Sequence, residues 1–160
     1  MTSQASQASQ TSAASAPVLD PSVIGVAHYA ARAVLETVLA RHGATFLQLM
    51  TLRPVALADG TVERAELIRR VTGSLKTPEA EVGDTIDALV ADGLVTNDGS
   101  GVRATDAGRA LHETSGAETR PISARIYAGI PADDLAVAGR VLTLITERAN
   151  AELAALRDGR

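Results

Sequence analysis

The sequence predicts a mainly α-helical protein with a small β-hairpin wing, organised around a winged helix-turn-helix. The composition is 46% hydrophobic but only 2% aromatic, which favours helices packed through small and aliphatic side chains. Apolar residues recur at helical spacing in most segments that follow residue 19. Residues 77–111 combine a helix, a short hairpin and the start of another helix. A helix followed directly by a hairpin indicates a winged helix.

The N-terminal part divides into a tail and a helix. Residues 1–19 are rich in Ser, Gln and Ala and are expected to be disordered, because they offer almost nothing large enough to bury. In residues 20–44, Asp20 caps a helix that begins at Pro21 and ends near Arg41. A surface helix needs one apolar stripe, whereas this helix carries two, which predicts a dimerisation helix. The stripes are Val23, Ala27, Ala30, Val34 and Val38, and Ile24, Ala31, Leu35 and Leu39.

Two histidines of this segment, His28 and His42, flank Leu35 at heptad spacing and are predicted to share a helical face. One interpretation is a pH-responsive or ligand-contacting pair at an interface. The other is that they are satisfied or partly exposed histidines without such a role.

Residues 45–114 predict the winged helix-turn-helix itself. A helix from Thr45 is bent or ended by Pro54, and Phe46 and Met50 on it either line a pocket or belong to the core. A short edge strand at residues 60–62 leads into a helix at 64–71. Residues 72–74 then supply the turn of the helix-turn-helix.

The recognition helix is predicted to start with Thr77 as its N-cap and Pro78 at its first position. Val82, Ile86 and Leu89 fall on one side, which is therefore the buried face. The opposite face is acidic and carries Ala80, Asp84, Asp87 and Ala91, with Glu81 on one flank. The wing pairs residues 94–96 with 102–104 through a turn at 97–101, and Thr105 caps the next helix.

Residues 115–160 predict C-terminal dimerisation helices. The post-wing helix is expected to stop at Ser115 and Gly116, and Pro121 to start another helix that ends near Gly129. The last helix runs from Pro131 to about Arg157 with apolar residues at alternating three- and four-residue steps, as in a coiled coil. This seam comprises Leu135, Ala138, Leu142, Ile145, Ala149, Leu153 and Leu156.

Several function classes are excluded by what the sequence lacks. The absence of cysteine excludes disulfides, thiolate metal sites and a cysteine nucleophile. The few histidines are scattered, and no metal-ligand spacing or glycine-rich phosphate loop occurs, so we expect no enzyme, catalytic residue, metal or cofactor. We find no leader and no apolar stretch near the ~20 residues of a membrane span. The sequence therefore predicts a soluble, cytoplasmic protein without a membrane partner.

DNA binding must depend on a local patch, because the formal net charge is −4. Between residues 61 and 95 acidic residues outnumber basic ones by seven to four. One carboxylate can read a cytosine amino group in the major groove, but several carboxylates near phosphates weaken binding. The candidate DNA contacts are Arg69, Arg70, Lys76, Thr77, Glu81, Asp84, Thr85 and Arg103.

From about Ser22 to Leu156 the chain resembles the MarR family of transcriptional regulators. Four segments carry the resemblance: AELIRRV for the first helix of the helix-turn-helix, IDALVADGLV for the end of the recognition helix, TDAGRAL for the post-wing helix, and IYAGIPADDLAVAGRVL for C-terminal dimerisation. The sequence departs from the family at Ala80, Glu81 and Asp84, where the family usually shows Ser, Thr and Arg. Its wing is also shorter, with Arg103 as the single arginine.

The resemblance implies a homodimer formed by the first and last helices, with paired recognition helices facing a two-fold operator in double-stranded DNA. It also implies a site for a small phenolic or lipophilic effector between the dimerisation and DNA-binding parts, for which His28, Phe46 and Met50 are the candidates. A second interpretation stays open. In it, the winged helix no longer binds DNA strongly and meets a protein partner through its acidic helix.

Overall fold

The structure is a computed structural model and describes residues 18–159. The predicted disordered tail therefore lies almost wholly outside the described residues. The fold is mainly helical with a small sheet, as predicted, and divides into two compact units, one ending at His112 and one beginning at Glu113. The elements are α1 (Pro21–Ala40), α2 (Phe46–Ala56), β1 (Val62–Glu63), α3 (Arg64–Leu75), α4 (Glu79–Ala91), β2 (Val95–Asp98), β3 (Gly101–Ala104), α5 (Asp106–Tyr127) and α6 (Ala132–Asp158).

The core of the first unit lies between α2, α3, α4 and the sheet. Each helix contributes the apolar side chains that recur on one of its faces, so the periodicity in the sequence becomes one continuous cluster. On α4 the buried residues are Val82, Ile86 and Leu89, as predicted. The outer face of α4 is therefore left exposed next to the wing.

The sheet is antiparallel in the order β1-β3-β2, with Val62 opposite Val102 and Val95 opposite Ala104. The hairpin reaches further than predicted, because β2 continues to Asp98 and only residues 99–100 remain in the turn. Gly99 permits this tight turn, since its φ of 62° is in the left-handed region that favours glycine. The wing strands are accordingly four residues each.

Two predicted boundaries around the helix-turn-helix are wrong. Residues 72–74 do not form the turn, because α3 continues to Leu75 and the chain reverses at Lys76, which has a φ of 58°. The Lys76 N–H donates to the Thr72 carbonyl at 2.8 Å and closes the helix there. Thr77 is not the N-cap of α4, because Pro78 has an extended ψ of 142° and itself occupies the cap position.

Neither proline inside a helix ends it. Helix α2 continues past Pro54 to Ala56. Helix α5 runs unbroken from Asp106 to Tyr127, so the predicted interruption at residues 115–116 and the restart at Pro121 are wrong. The Thr119 hydroxyl donates to the Ser115 and Gly116 carbonyls at 2.9 and 3.2 Å, which adds hydrogen bonds in the turn before that proline.

Helix α1 is apolar but mostly uncovered in the single chain. Of its twenty residues, all of which the structure describes, Val38 and Leu39 at the C-terminal end are buried, whereas Val26 and Tyr29 are each 69% exposed. An 18-residue stretch of the helix has a mean hydropathy of 1.4 and could span a membrane by length and composition alone, so the prediction that no such stretch exists is wrong. It ends at Ala40, before His42, so His28 and His42 do not share a helical face.

Helix α6, in the second unit, buries none of its residues, all of which are described. It begins and ends within one residue of the predicted limits. Apolar side chains of its predicted seam stay accessible in the single chain, with Leu142 at 40% and Ile145 at 38% exposure.

Candidate nucleic-acid interface

The position of α4 is set by Arg64, which begins α3. Its Nη2 donates to the Gly83 carbonyl at 3.0 Å, and its Nη1 lies 3.0 Å from the Asp87 carboxylate. Asp87 is thereby engaged with a neighbouring helix, although its side chain remains well exposed. The acidic face of α4 that remains for a partner consists chiefly of Glu81 and Asp84, which are both exposed.

Some of the polar side chains near α4 that the sequence predicts to contact DNA already form hydrogen bonds within the protein. The Thr85 hydroxyl donates to the Glu81 carbonyl at 2.8 Å, within the same helix. Lys76 lies in the turn before α4 and its Nζ donates to the Gly73 carbonyl at 2.5 Å. Thr77 is half-buried in the same turn. Thr77 and Glu81 line one cavity, and Glu81, Asp84 and Thr85 line another.

The two arginines predicted on α3 have different environments. The Arg69 guanidinium forms an ion pair with Glu66 one turn earlier, and the hydrogen bond that it donates to this carboxylate raises the pKa of Arg69. Arg70 instead lies on the wall of a cavity between α2 and α3. The contacts of Arg69 and Arg70 therefore place neither guanidinium beside the exposed face of α4.

The wing arginine is held by its own hairpin. The Arg103 guanidinium pairs with the Asp98 carboxylate, which also accepts a hydrogen bond from the Thr61 hydroxyl. The Thr61 hydrogen bond, followed by the Arg103 interactions, lowers the pKa of Asp98. On the other side of the turn the Ser100 hydroxyl donates to Glu63 at 2.7 Å. We call Thr61, Asp98 and Arg103 the wing clamp.

Asp98 and Thr61 were not singled out from the sequence. A signal for Asp98 exists, since a carboxylate and an arginine five residues apart across a tight hairpin turn occupy diagonal cross-strand positions. No comparable signal exists for Thr61, because its contact with the hairpin depends on the pairing of β1 with β3.

The candidate effector residues separate into two places. His28 and Phe46 line one cavity of about 270 Å³ together with residues from α3 and α4, whereas Met50 lines a different cavity of about 690 Å³. Arg32 lies over the Phe46 ring, with its guanidinium carbon 4.6 Å from the ring centroid. Within residues 18–159 no group of three or more His, Cys, Asp or Glu side chains is arranged to hold a metal ion.

No model of a known protein family matches the sequence, and no curated protein matches it. Solved structures do resemble it, among them CouR from Rhodococcus jostii bound to p-coumaroyl-CoA, with 18% identity and a TM-score of 0.66 over 78% of this chain and 88% of that one. MarR from Escherichia coli in its reduced form has 19% identity and a TM-score of 0.63 over 81% and 95% of the two chains. A MarR-family regulator from a Rhodococcus species has 20% identity and a TM-score of 0.66 over 78% and 91%.

Identities this low show the fold alone. The chain has the winged helix-turn-helix fold of MarR-family transcriptional regulators, which confirms the architecture that the sequence predicted.

Proposed function

We propose that this chain, which shares the fold of MarR-family transcriptional regulators, is a homodimeric regulator that binds double-stranded DNA. The observation that carries the proposal is the placement of α4. It follows α3 across a tight turn, buries Val82, Ile86 and Leu89, and leaves its opposite face open beside the wing. A helix held in this way fits the major groove of B-DNA. Such a regulator would act in the cytoplasm and without catalysis.

A homodimer is supported by the two terminal helices, each taken by itself. Helix α1 exposes Val26 and Tyr29, and α6 exposes Leu142 and Ile145 along its coiled-coil-like seam. Burying such side chains contributes about 25 cal/mol per Å² of apolar surface removed from water. A second copy of the chain would cover these faces, and its two-fold symmetry would present two recognition helices to a two-fold operator.

In this proposal Glu81 and Asp84 on α4 read base edges, while Lys76, in the turn before α4, supplies a phosphate contact. A carboxylate in the major groove accepts a hydrogen bond from the cytosine amino group, so the operator half-site should contain cytosine opposite these residues. Few cations remain for phosphates, because Arg64, Arg69 and Arg103 pair with carboxylates in the protein. The salt dependence of binding should therefore be shallow for a protein of this class.

The effector site in this proposal is the cavity that His28 and Phe46 line. It combines an aromatic ring with the Arg32 guanidinium and extends to Leu75 and Glu81, next to the start of α4. A phenolic or lipophilic molecule bound there would contact both α1 and the recognition helix. The structural neighbour CouR, whose crystal structure contains p-coumaroyl-CoA, is an example of this fold with an aromatic ligand.

The alternative function is a winged-helix module that meets a basic protein through α4. The observation that favours it is the internal pairing of Arg64, Arg69 and Arg103, which leaves Glu81 and Asp84 exposed on the face that would approach DNA. DNA-binding faces are normally positive, because neutralising phosphates releases counterions and supplies much of the affinity.

Selection from a random duplex DNA library with the full chain separates the two functions. A regulator should enrich a two-fold repeat whose affinity falls as salt is raised. If no sequence is enriched even at low salt, the DNA-binding proposal is wrong and the alternative remains.

A further inference from the structure

We propose a second ligand site, in the groove between α2 and α3, that binds an amphipathic organic anion with a single carboxylate or sulfonate head. The groove lies within the first unit, is open to solvent and has a volume of about 690 Å³, within the range of small-molecule sites. The residues that line it are Met50, Arg53, Pro54, Leu57, Ala58, Val62, Arg70, Val71, Ser74 and Leu75.

The walls of this groove are mostly apolar. Helix α2 contributes Met50 and Pro54, and α3 contributes Val71 and Leu75. Leu57, just after α2, is 64% exposed at the groove, so part of its apolar surface is in contact with water. An apolar body that covered these side chains would remove this surface from water, which is the main source of affinity for small apolar ligands.

The charge of the groove comes from one arginine on each helix, Arg53 on α2 and Arg70 on α3. None of the described residues that line it is acidic, and neither arginine forms an ion pair with a described carboxylate. By contrast, Arg64, Arg69 and Arg103 all pair with acids. In a chain with a net charge of −4, two cations are thus kept beside an apolar surface without a counter-charge. An anionic head would form charge-assisted hydrogen bonds with both.

One further polar side chain of the groove fits a carboxylate head. The Ser74 hydroxyl, one turn after Arg70, is a third possible donor on the α3 wall. The lining side chains thus include two cations and one hydroxyl donor but no carboxylate, as an anion site requires.

This groove differs from the cavity of His28 and Phe46. The two lie on different parts of α2, and both reach Ser74 and Leu75 at the end of α3, directly before the left-handed Lys76 that precedes α4. An anion in the groove would therefore bind at the turn of the helix-turn-helix. The proposal does not depend on DNA binding or on the effector site.

Isothermal titration calorimetry on the full chain without DNA tests the site, with decanoate and 2-naphthoate as probes and 1-decanol and 2-naphthalenemethanol as uncharged counterparts. We expect at least one carboxylate to bind once per chain and at least about tenfold more tightly than its alcohol, because charge-assisted hydrogen bonds are the strong ones. Arg53→Gln and Arg70→Gln should each weaken carboxylate binding about tenfold or more. Leu57→Gln should weaken both kinds of probe.

Two control variants locate the site. Arg109→Gln removes an arginine of the same unit that pairs with Asp106 outside the groove, and Phe46→Ala alters the other cavity. Both should keep carboxylate affinity within twofold of the unsubstituted chain, and circular dichroism checks that every variant is folded. The proposal is overturned if neither carboxylate binds at millimolar concentration, if Arg53→Gln and Arg70→Gln bind as well as Arg109→Gln, or if Phe46→Ala weakens binding as much as they do.

Discussion

At the scale of single residues, the wing clamp decides what Arg103 can do. An arginine on a wing is available for phosphates only if its guanidinium is not neutralised nearby, and here Asp98 neutralises it while Thr61 holds Asp98 in place. The clamp ties the hairpin to the segment that leads into β1. Within the protein Arg103 therefore supports the wing, and the DNA contact that the sequence suggests for it stays a prediction.

The Asp98→Ala substitution tests the clamp. It removes one carboxylate and releases Arg103, so DNA affinity should rise about three- to tenfold and the plot of log affinity against log salt should steepen by about 0.9, the value for one additional phosphate contact. Fluorescence anisotropy with the selected duplex at several salt concentrations measures both. Asn97→Ala, at the neighbouring exposed position, should change neither the DNA affinity nor the salt slope. Equal salt slopes for the unsubstituted chain and the Asp98→Ala variant would show that Arg103 does not reach DNA even without its ion pair to Asp98.

Gly101 illustrates a constraint on the backbone at the same scale. A Cβ at this position would overlap the Val62 carbonyl oxygen and the Thr61 side chain, because β1 and β3 are paired there. Since a backbone carbonyl cannot rotate away, Gly101→Ala should lower the free energy of unfolding by about 1–3 kcal/mol. Urea denaturation gives this value. Gly60→Ala, where a Cβ meets nothing within 4 Å, should stay within about 0.5 kcal/mol.

At the scale of elements, α4 is attached to α3 through Arg64 and buried through a single apolar face. This attachment uses Asp87 but leaves Asp84 one turn earlier exposed to a partner. The two carboxylates look equivalent in the sequence, since both fall on the face opposite Val82 and Ile86. Only Asp84 is expected to act in recognition, while Asp87 supports the orientation of the helix.

Substitution of Asp84 should change which DNA is selected. In Asp84→Ala the preference for cytosine at one position of each half-site should be lost, with about 1–3 kcal/mol less discrimination there, because each good base contact contributes about that much. Repeating the library selection measures it. Asp59→Ala, an exposed carboxylate before β1, should enrich the same sequences as the unsubstituted chain. An unchanged consensus with Asp84→Ala would remove Asp84 from the reading face.

At the scale of the whole molecule, the terminal helices α1 and α6 leave apolar side chains exposed in the single chain. Leu142→Glu places a charge in the α6 seam, where it would have to be buried between two copies, so the proposed dimer should dissociate. Sedimentation at micromolar concentration should give the mass of two chains for the unsubstituted protein and of one chain for this variant. Thr143→Glu, exposed and away from the seam, should remain dimeric. A monomeric unsubstituted chain would contradict the dimer.

The periodic pattern of apolar residues determined most of the fold. Helical spacing predicted α1, α4 and α6 near their observed limits and identified the buried face of α4, because these properties depend on residues three and four positions apart in one segment. Predictions of helix ends were wrong where the residue type is compatible both with a helix and with the end of one. Pro54 and Pro121 lie within helices, and the turn falls at Lys76 and not at residues 72–74, so residue type alone did not determine where these helices end.

The candidate site was predicted in kind but not in detail. The sequence by itself determined which residue types lie on α4 and that its outer face is acidic. Only the tertiary structure decided which charges are already paired: it brings Arg103 to Asp98 and Thr61, joins Arg64 to Asp87, and leaves Arg53 and Arg70 together on an apolar groove. The physical reason is that ion pairs form over a few ångströms between separate elements, and the spacing of residues along one element does not report that distance.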